Sequence, residues 1–224
     1  MSTSLVVFDL DGTLIDTAQD LVASLNHTIG LEGLEPVSYG DLTHLVGHGA
    51  QVMIRRAFSL RGHETSQAEL DRMLAVFVEH YAGAMPGVSA PYPGLAQAMD
   101  RLSDAGYRLA VCTNKLEGLA RRLIEGVGLT PRFAAITGGD TFAVRKPDAE
   151  HLLGTVRLAE ADPKRTVMIG DSLNDMLVAR NAGIPSIGVP FGYSDVPLAD
   201  LEPNHVISHF DELTPDLVAK LIAR

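Results

Sequence analysis

An apolar run, Leu5, Val6, Val7 and Phe8, leads straight into Asp9, Leu10, Asp11, Gly12 and Thr13, and this junction limits the folds open to the chain more than any other stretch. A buried strand ending in two carboxylates and a glycine turn puts negative charge where it is most costly, at the carboxyl edge of a sheet where α/β proteins bind ligands. Strand alternation sends Asp9 and Asp11 to one side and Leu10 to the other, so two carboxyl groups converge. They repel unless a cation lies between them or one takes up a proton, and oxygen ligands alone suit magnesium better than zinc. Gly12 permits a sharp exit from the strand, while Asp16 and Thr17 are good caps for a following helix.

Beyond this junction, short apolar runs alternate with amphipathic stretches, the pattern of an α/β protein with a parallel sheet covered by helices. Strands are predicted at Leu5 to Phe8, Tyr107 to Cys112, Phe133 to Ile136, Thr166 to Ile169 and Ser186 to Val189. Helices are predicted near Gly94 to Asp104, Leu116 to Val127, Ala149 to Leu158 and Asp175 to Ala182. Between the first strand and Pro86 no strand pattern appears; Leu70, Met73, Leu74, Phe77, Val78 and Tyr81 follow helical spacing, and Leu21, Leu25 and Ile29 do so more loosely. The organisation expected is a core of residues 1–15 and 87–224 interrupted by an all-helical insertion, 16–86. Its hinges fall at the turn near Asp16 and at the loop-like stretch Met85 to Gly94, rich in proline and glycine.

Several classes of function drop out on composition. With 224 residues and 46% apolar content the chain can build a sizeable core, yet no run approaches a membrane span and no amino-terminal targeting pattern is present. A cytoplasmic protein is expected. Cys112 is the one cysteine and sits within the apolar run LAVC, which excludes an internal disulfide and favours a packed thiol over a nucleophile. Eighteen basic against 28 acidic residues give a net charge of −10, a poor footprint for nucleic acid or an anionic membrane. The eight histidines show no metal-ligand spacing.

Three further sites fall at equivalent places. YRLAVC ends in Thr113, Asn114 and Lys115; TVMI ends in Gly170, Asp171, Ser172, Leu173, Asn174 and Asp175; Arg145, Lys146 and Pro147 lie just before a helix. Parallel strands would bring the first two out on the same edge as Asp9, with Lys146 entering beside them. Each feature has a plainer explanation, since Thr113 and Asn114 suit a helix start, Lys146 a solvated surface, and Asp171 with Asp175 a helix cap and its first turn. Together they supply what phosphoryl transfer needs: a nucleophile, a cation for the equatorial oxygens, and donors where charge develops.

FDLDGTLIDT, CTNK, RKP and GDSLND, in this order and at these intervals, resemble the four motifs of the haloacid dehalogenase superfamily. The resemblance implies a Rossmann-like core with a helical cap inserted after the first motif. It also implies that Asp9 attacks phosphorus and becomes an aspartyl phosphate, and that Asp11 works as general acid and then base. Mg2+ is implied on Asp9, the main-chain oxygen of Asp11 and Asp171, with Asp175 in reach directly or through water. Thr113 would bond a phosphoryl oxygen, Asn114 would meet substrate, and Lys146 would hold Asp9 and the phosphate.

An acid at position 11 argues against dehalogenation, because the dehalogenases lack one there. The stretches LVGHGAQVMIRRAF, VCTNK, GDSLNDMLVARNAGIPSIGV and FGYSD resemble bacterial phosphoglycolate phosphatases, implying 2-phosphoglycolate as substrate. The alternatives are an amino-sugar phosphate such as N-acetylmuramic acid 6-phosphate, another sugar phosphate, pyrophosphate, a mutase of the β-phosphoglucomutase kind, or a drifted binding module. In the cap, Gly47, His48 and Gly49 would form a loop at the cavity, and Arg55 or Arg56 would meet a carboxylate. The partner expected is a small phosphorylated metabolite, and the chain is expected to act as a monomer or homodimer.

Overall fold

A computed structural model describes residues 3–42, 49–194 and 196–223. The chain begins with β1 (Leu5–Phe8) and the short β2 (Ile15–Asp16), followed by helices α1 (Ala18–Gly30), α2 (Tyr39–Leu42), α3 (Ala50–Leu60) and α4 (Gln67–Ala84). It returns through β3 (Ala90–Pro91) to α5 (Leu95–Asp104), β4 (Arg108–Cys112), α6 (Glu117–Gly126), β5 (Ala135–Thr137) and α7 (Ala149–Leu158). Then come β6 (Thr166–Gly170), α8 (Leu173–Ala182), β7 (Ser186–Gly188), β8 (His205–Val206) and α9 (Pro215–Ile222).

Six strands form one parallel sheet in the order β5-β4-β1-β6-β7-β8. The chain steps outward from β1 in one direction to β4 and β5 and in the other to β6, β7 and β8, so the order reverses at β1, where α/β sheets open a crevice for ligands. Register brings the strand ends level, with Phe8 opposite Val111 on one side and Ile169 on the other. Asp9, Thr113 and Asp171 therefore leave the sheet from neighbouring strands along one edge.

Alternation divides the strand side chains between two layers. Val6 and Phe8 pack with Leu95, Met99, Leu123 and Val218 from α5, α6 and α9. Leu5, Val7 and Cys112 face the other way, against Leu152 and Val156 of α7 and Val178 of α8. Cys112 is buried and its burial pushes the thiol up to about 11, which leaves it a packing residue.

The helices α1, α3 and α4 build a separate apolar cluster that includes Leu21, Leu25, Met53, Phe58, Leu70 and Phe77. The helical spacing read in α4 is real: Leu70, Met73, Phe77 and Tyr81 are buried, and Ser66 with Glu69 closes a capping box at its start. Leu119 of α6 and Tyr193, both from the sheet side, complete this cluster. Among the described residues, no helix is long and apolar enough to cross a membrane.

Two readings need correction at the insertion's root. The stretch Met85 to Gly94 is not wholly loop, because β3 pairs antiparallel with β2, Ile15 opposite Pro91 and Asp16 opposite Ala90. Two-residue strands carry no periodic signal, and a proline is tolerated at such an edge. Nor do Asp16 and Thr17 cap α1 with their side chains. The hydroxyl of Tyr193 takes that place, accepting from the backbone N–H groups of Thr17 at 2.7 Å and Ala18 at 3.1 Å while donating to Asp16.

Candidate active site

At the carboxyl edge Asp9, Asp171 and Asp175 are all buried, and each offers an oxygen within 4.8 Å of the others. The chain is shaped to hold them so close. Gly12 has φ +82°, and a Cβ there would lie 2.5 Å from Asp171 Oδ2, so the turn after β1 needs a residue without a side chain. Both Asp171 oxygens are anchored, Oδ1 by the Thr13 hydroxyl at 2.8 Å and Oδ2 by the Tyr193 N–H at 2.8 Å. Asp175 divides its oxygens: Oδ2 accepts from the backbone N–H and hydroxyl of Ser172 at the start of α8, and Oδ1 lies 2.6 Å from Lys146 Nζ. The plain explanation, a helix-start acid, thus holds for one oxygen and leaves the other for the site.

Lys146 Nζ also sits 2.8 Å from Asp9 Oδ1, an oxygen with no well-directed hydrogen bond. One buried ammonium against three buried carboxylates leaves an excess of negative charge. Burial, and after it the charge of Asp175, pushes Asp9 up to about 7 and Asp171 up to about 8. Burial works against the Lys146 charge too, but Asp175 and then Asp9 hold the ammonium above its ordinary range. A hard divalent cation bound through oxygen fits this donor set and would relieve the excess negative charge that Lys146 alone leaves.

Asp11 lines the same cavity as Asp9 while Leu10, in the turn that follows β1, packs into the apolar layer below. Its carboxylate stands outside the three-carboxylate group, because Lys115 Nζ at 2.8 Å and the Thr17 hydroxyl at 2.6 Å both donate to Oδ1. Lys115 is buried; burial alone would lower it, yet Asp11 and then Tyr81 hold it charged.

Thr113 is buried beside this pair and lines the same cavity. Asn114 lines it too, donating to the Lys146 main-chain oxygen at 3.1 Å, with its own Oδ1 buried and unpartnered. His151, one of the histidines without metal-ligand spacing, accepts from the Lys146 N–H through Nδ1 at 3.0 Å. Burial first and the nearby Lys146 second push it down to about 4, so it stays neutral and fit to accept.

The cavity these groups share has a volume of about 250 Å3 and reaches from Asp9 and Asp11 to Gly49 at the start of α3 and to Phe77 and Tyr81 of α4. Gly47 and His48 lie outside the described residues. Arg55 and Arg56 do not line it: α3 turns Met53, Ile54, Ala57 and Phe58 inward, which leaves both arginines exposed. The cation at the cavity wall that no described carboxylate neutralises is Arg145, directly before Lys146 and close to Gly49, whose added Cβ would lie 3.8 Å from Nη1. Sequence spacing singled out neither Lys115 nor Tyr81 nor Arg145 for a role.

Chemically, the arrangement offers a buried carboxylate beside an ammonium, a second carboxylate oriented through one oxygen, and a three-carboxylate group that could hold a metal ion. The family model for haloacid dehalogenase-like hydrolases matches residues 6–189. A phosphoglycolate phosphatase of Agrobacterium fabrum is 60% identical over 220 residues, covering 98% of this chain and 94% of that one. Another, from Mesorhizobium japonicum, is 51% identical over 222 residues, 99% of this chain and 98% of its own. Among solved structures, a predicted phosphoglycolate phosphatase from Haemophilus somnus superposes with a TM-score of 0.88 at 27% identity, covering 95% of this chain and 97% of that one.

Proposed function

This chain belongs to the haloacid dehalogenase-like hydrolase family, and from that premise we propose that it hydrolyses 2-phosphoglycolate to glycolate and phosphate with Mg2+, through a phosphoaspartate at Asp9. It is a phosphatase. What supports the substrate is the name carried by the relative at 60% identity together with a cavity of about 250 Å3, small beside the ~300–1,000 Å3 of sites for drug-sized ligands. The acidic group of Asp9, Asp171 and Asp175 carries the mechanism.

Mg2+ held by these carboxylates and the Asp11 main-chain oxygen would draw charge off the phosphoryl oxygens. Lys146 holds Asp9 in line and adds positive charge; Thr113 donates to a phosphoryl oxygen. Asp9 attacks phosphorus as Asp11 gives its proton to the leaving oxygen, and the ionised Asp11 then takes a proton from the water that opens the aspartyl phosphate. Residues 16–86 act as a cap that shields this intermediate from stray water and reads the rest of the substrate.

The phosphoryl group is served by the core, so the substrate's carboxylate needs a cation of its own, and among the described residues Arg145 is the cation at the wall that no carboxylate pairs. A panel of phosphate esters ranked by kcat/KM tests the reading. 2-Phosphoglycolate is expected at the head, and Arg145→Gln is expected to lower its kcat/KM relative to ethyl phosphate by about tenfold to a hundredfold, the range of a charge-assisted contact. A higher kcat/KM for N-acetylmuramic acid 6-phosphate, a hexose phosphate or pyrophosphate would overturn the substrate. Return of the phosphoryl group to a sugar in place of free phosphate would overturn hydrolysis.

A further inference from the structure

Taking Asp11 as the acid and base of the proposed reaction, we propose that Lys115 is its positioning residue and that Tyr81 makes this positioning depend on the seating of the helical cap. Lys115 follows β4 in the core, whereas Tyr81 lies on α4, in the insertion. Their side chains meet at the cavity: Lys115 Nζ is 2.8 Å from Asp11 Oδ1 and 3.0 Å from the Tyr81 hydroxyl, and it lies 4.5 Å from the centre of the Tyr81 ring. One buried ammonium is thus shared between the catalytic carboxyl of one unit and an aromatic residue of the other.

The Thr17 hydroxyl donates to that same Asp11 Oδ1 at 2.6 Å. Two donors on one oxygen fix the rotamer and leave Oδ2 to carry or accept the proton. In the first displacement an Asp9 oxygen forms its bond to phosphorus as the bond from phosphorus to the ester oxygen breaks. The electron pair left on the ester oxygen takes the proton from Asp11 Oδ2, and Asp11 becomes a carboxylate. The ammonium interacts more strongly with that carboxylate than with the neutral acid before it, so it favours the transition state over the ground state. While Asp11 is neutral, the Tyr81 hydroxyl and ring give the buried ammonium a partner it would otherwise lack. Were α4 to lift from the core, Tyr81 would leave with it, and Lys115 would hold Asp11 less firmly.

An acid matters most when the leaving group is poor, so kcat/KM for an alkyl phosphate and for p-nitrophenyl phosphate separates positioning from packing. This ratio reports steps up to transfer onto Asp9 and does not depend on which metabolite is the natural substrate. Lys115→Met is expected to lose about 100-fold or more on ethyl phosphate and less than about tenfold on p-nitrophenyl phosphate, the pattern of impaired proton donation. Lys115→Arg is expected to recover part of the loss on ethyl phosphate. Tyr81→Phe, which removes one hydroxyl, is expected to shift the same ratio in the same direction by a smaller factor, and it carries the test where Lys115→Met does not fold. Equal losses on the two esters, or none on either, in the folded variants would overturn the positioning role. A wild-type protein that releases phosphate from neither ester with Mg2+ would instead overturn the phosphatase reading on which this role rests.

Discussion

Asp9→Asn is expected to lose on the order of 10⁴-fold or more in kcat while keeping its fold, since the nucleophile is removed and the shape is kept. An amide nitrogen cannot take the place of the carboxylate oxygen that Lys146 approaches at 2.8 Å. The charge removed is one that burial and Asp175 already oppose, with Asp9 pushed up to about 7. The metal-free variant should therefore melt no lower than the metal-free wild type at neutral pH. Activity within about tenfold of wild type would mean that another group attacks phosphorus.

Removal of the divalent ion is expected to abolish phosphate release and to make stability fall as pH rises. Asp9 and Asp171 ordinarily titrate at 3.8, but burial first and Asp175 second raise them to about 7 and about 8 in the metal-free fold. The folded chain thus keeps protons that the unfolded chain has released. The stability this contributes is complete below 3.8 and is lost as pH climbs through about 7 and about 8. Mg2+ at about a hundred times its Kd adds roughly 2.7 kcal/mol, which for a chain of this length raises Tm by about 5–10 °C. Thermal unfolding in chelator and in Mg2+, at about pH 5 and about pH 9, reads both effects. The Mg2+ increment should be larger on the alkaline side, where the carboxylates are ionised; equal increments, or metal-free stability that rises with pH, would contradict an ion seated among these aspartates.

Much of the sheet and the acidic edge was legible because each piece lies on a short apolar run. Leu5–Phe8 and Ala149–Leu158 match the sequence reading residue for residue, and the other four strands and three core helices it predicted differ only at their ends, whereas α9 had no counterpart in it. Asp9, Lys146, Asp171 and Asp175 stood out by spacing, and the parallel register of β1, β4 and β6 explains how Asp9, Thr113 and Asp171 leave the sheet side by side. The structure brings Lys146 within 2.8 Å of Asp9 and 2.6 Å of Asp175.

What escaped was long-range pairing, which leaves no local pattern. Tyr193 caps α1 across 176 positions, and Lys115 meets Tyr81 across 34. Asp20, on the first helix of the insertion, accepts from the Ser89 N–H at 2.7 Å and the Val88 N–H at 3.2 Å, tying together two parts of the hinge that periodicity treats separately. The short β2, β3 and β8 are two residues each, below the length at which alternation can be seen. Arg145 escaped for a different reason: it stands within the RKP motif, but nothing in the local pattern shows that it reaches the cavity wall.

The most direct test of phosphoryl transfer to Asp9 is to quench the enzyme during turnover in acid, digest it, and search by mass spectrometry for a phosphate adduct. Asp11→Asn, in which hydrolysis of the intermediate is slowed, should strengthen the signal with an aryl phosphate that needs no acid. A hydroxylamine-labile adduct on Asp9 is the result expected; turnover of the same samples with that peptide unmodified, or with the phosphate on a different residue, would contradict it.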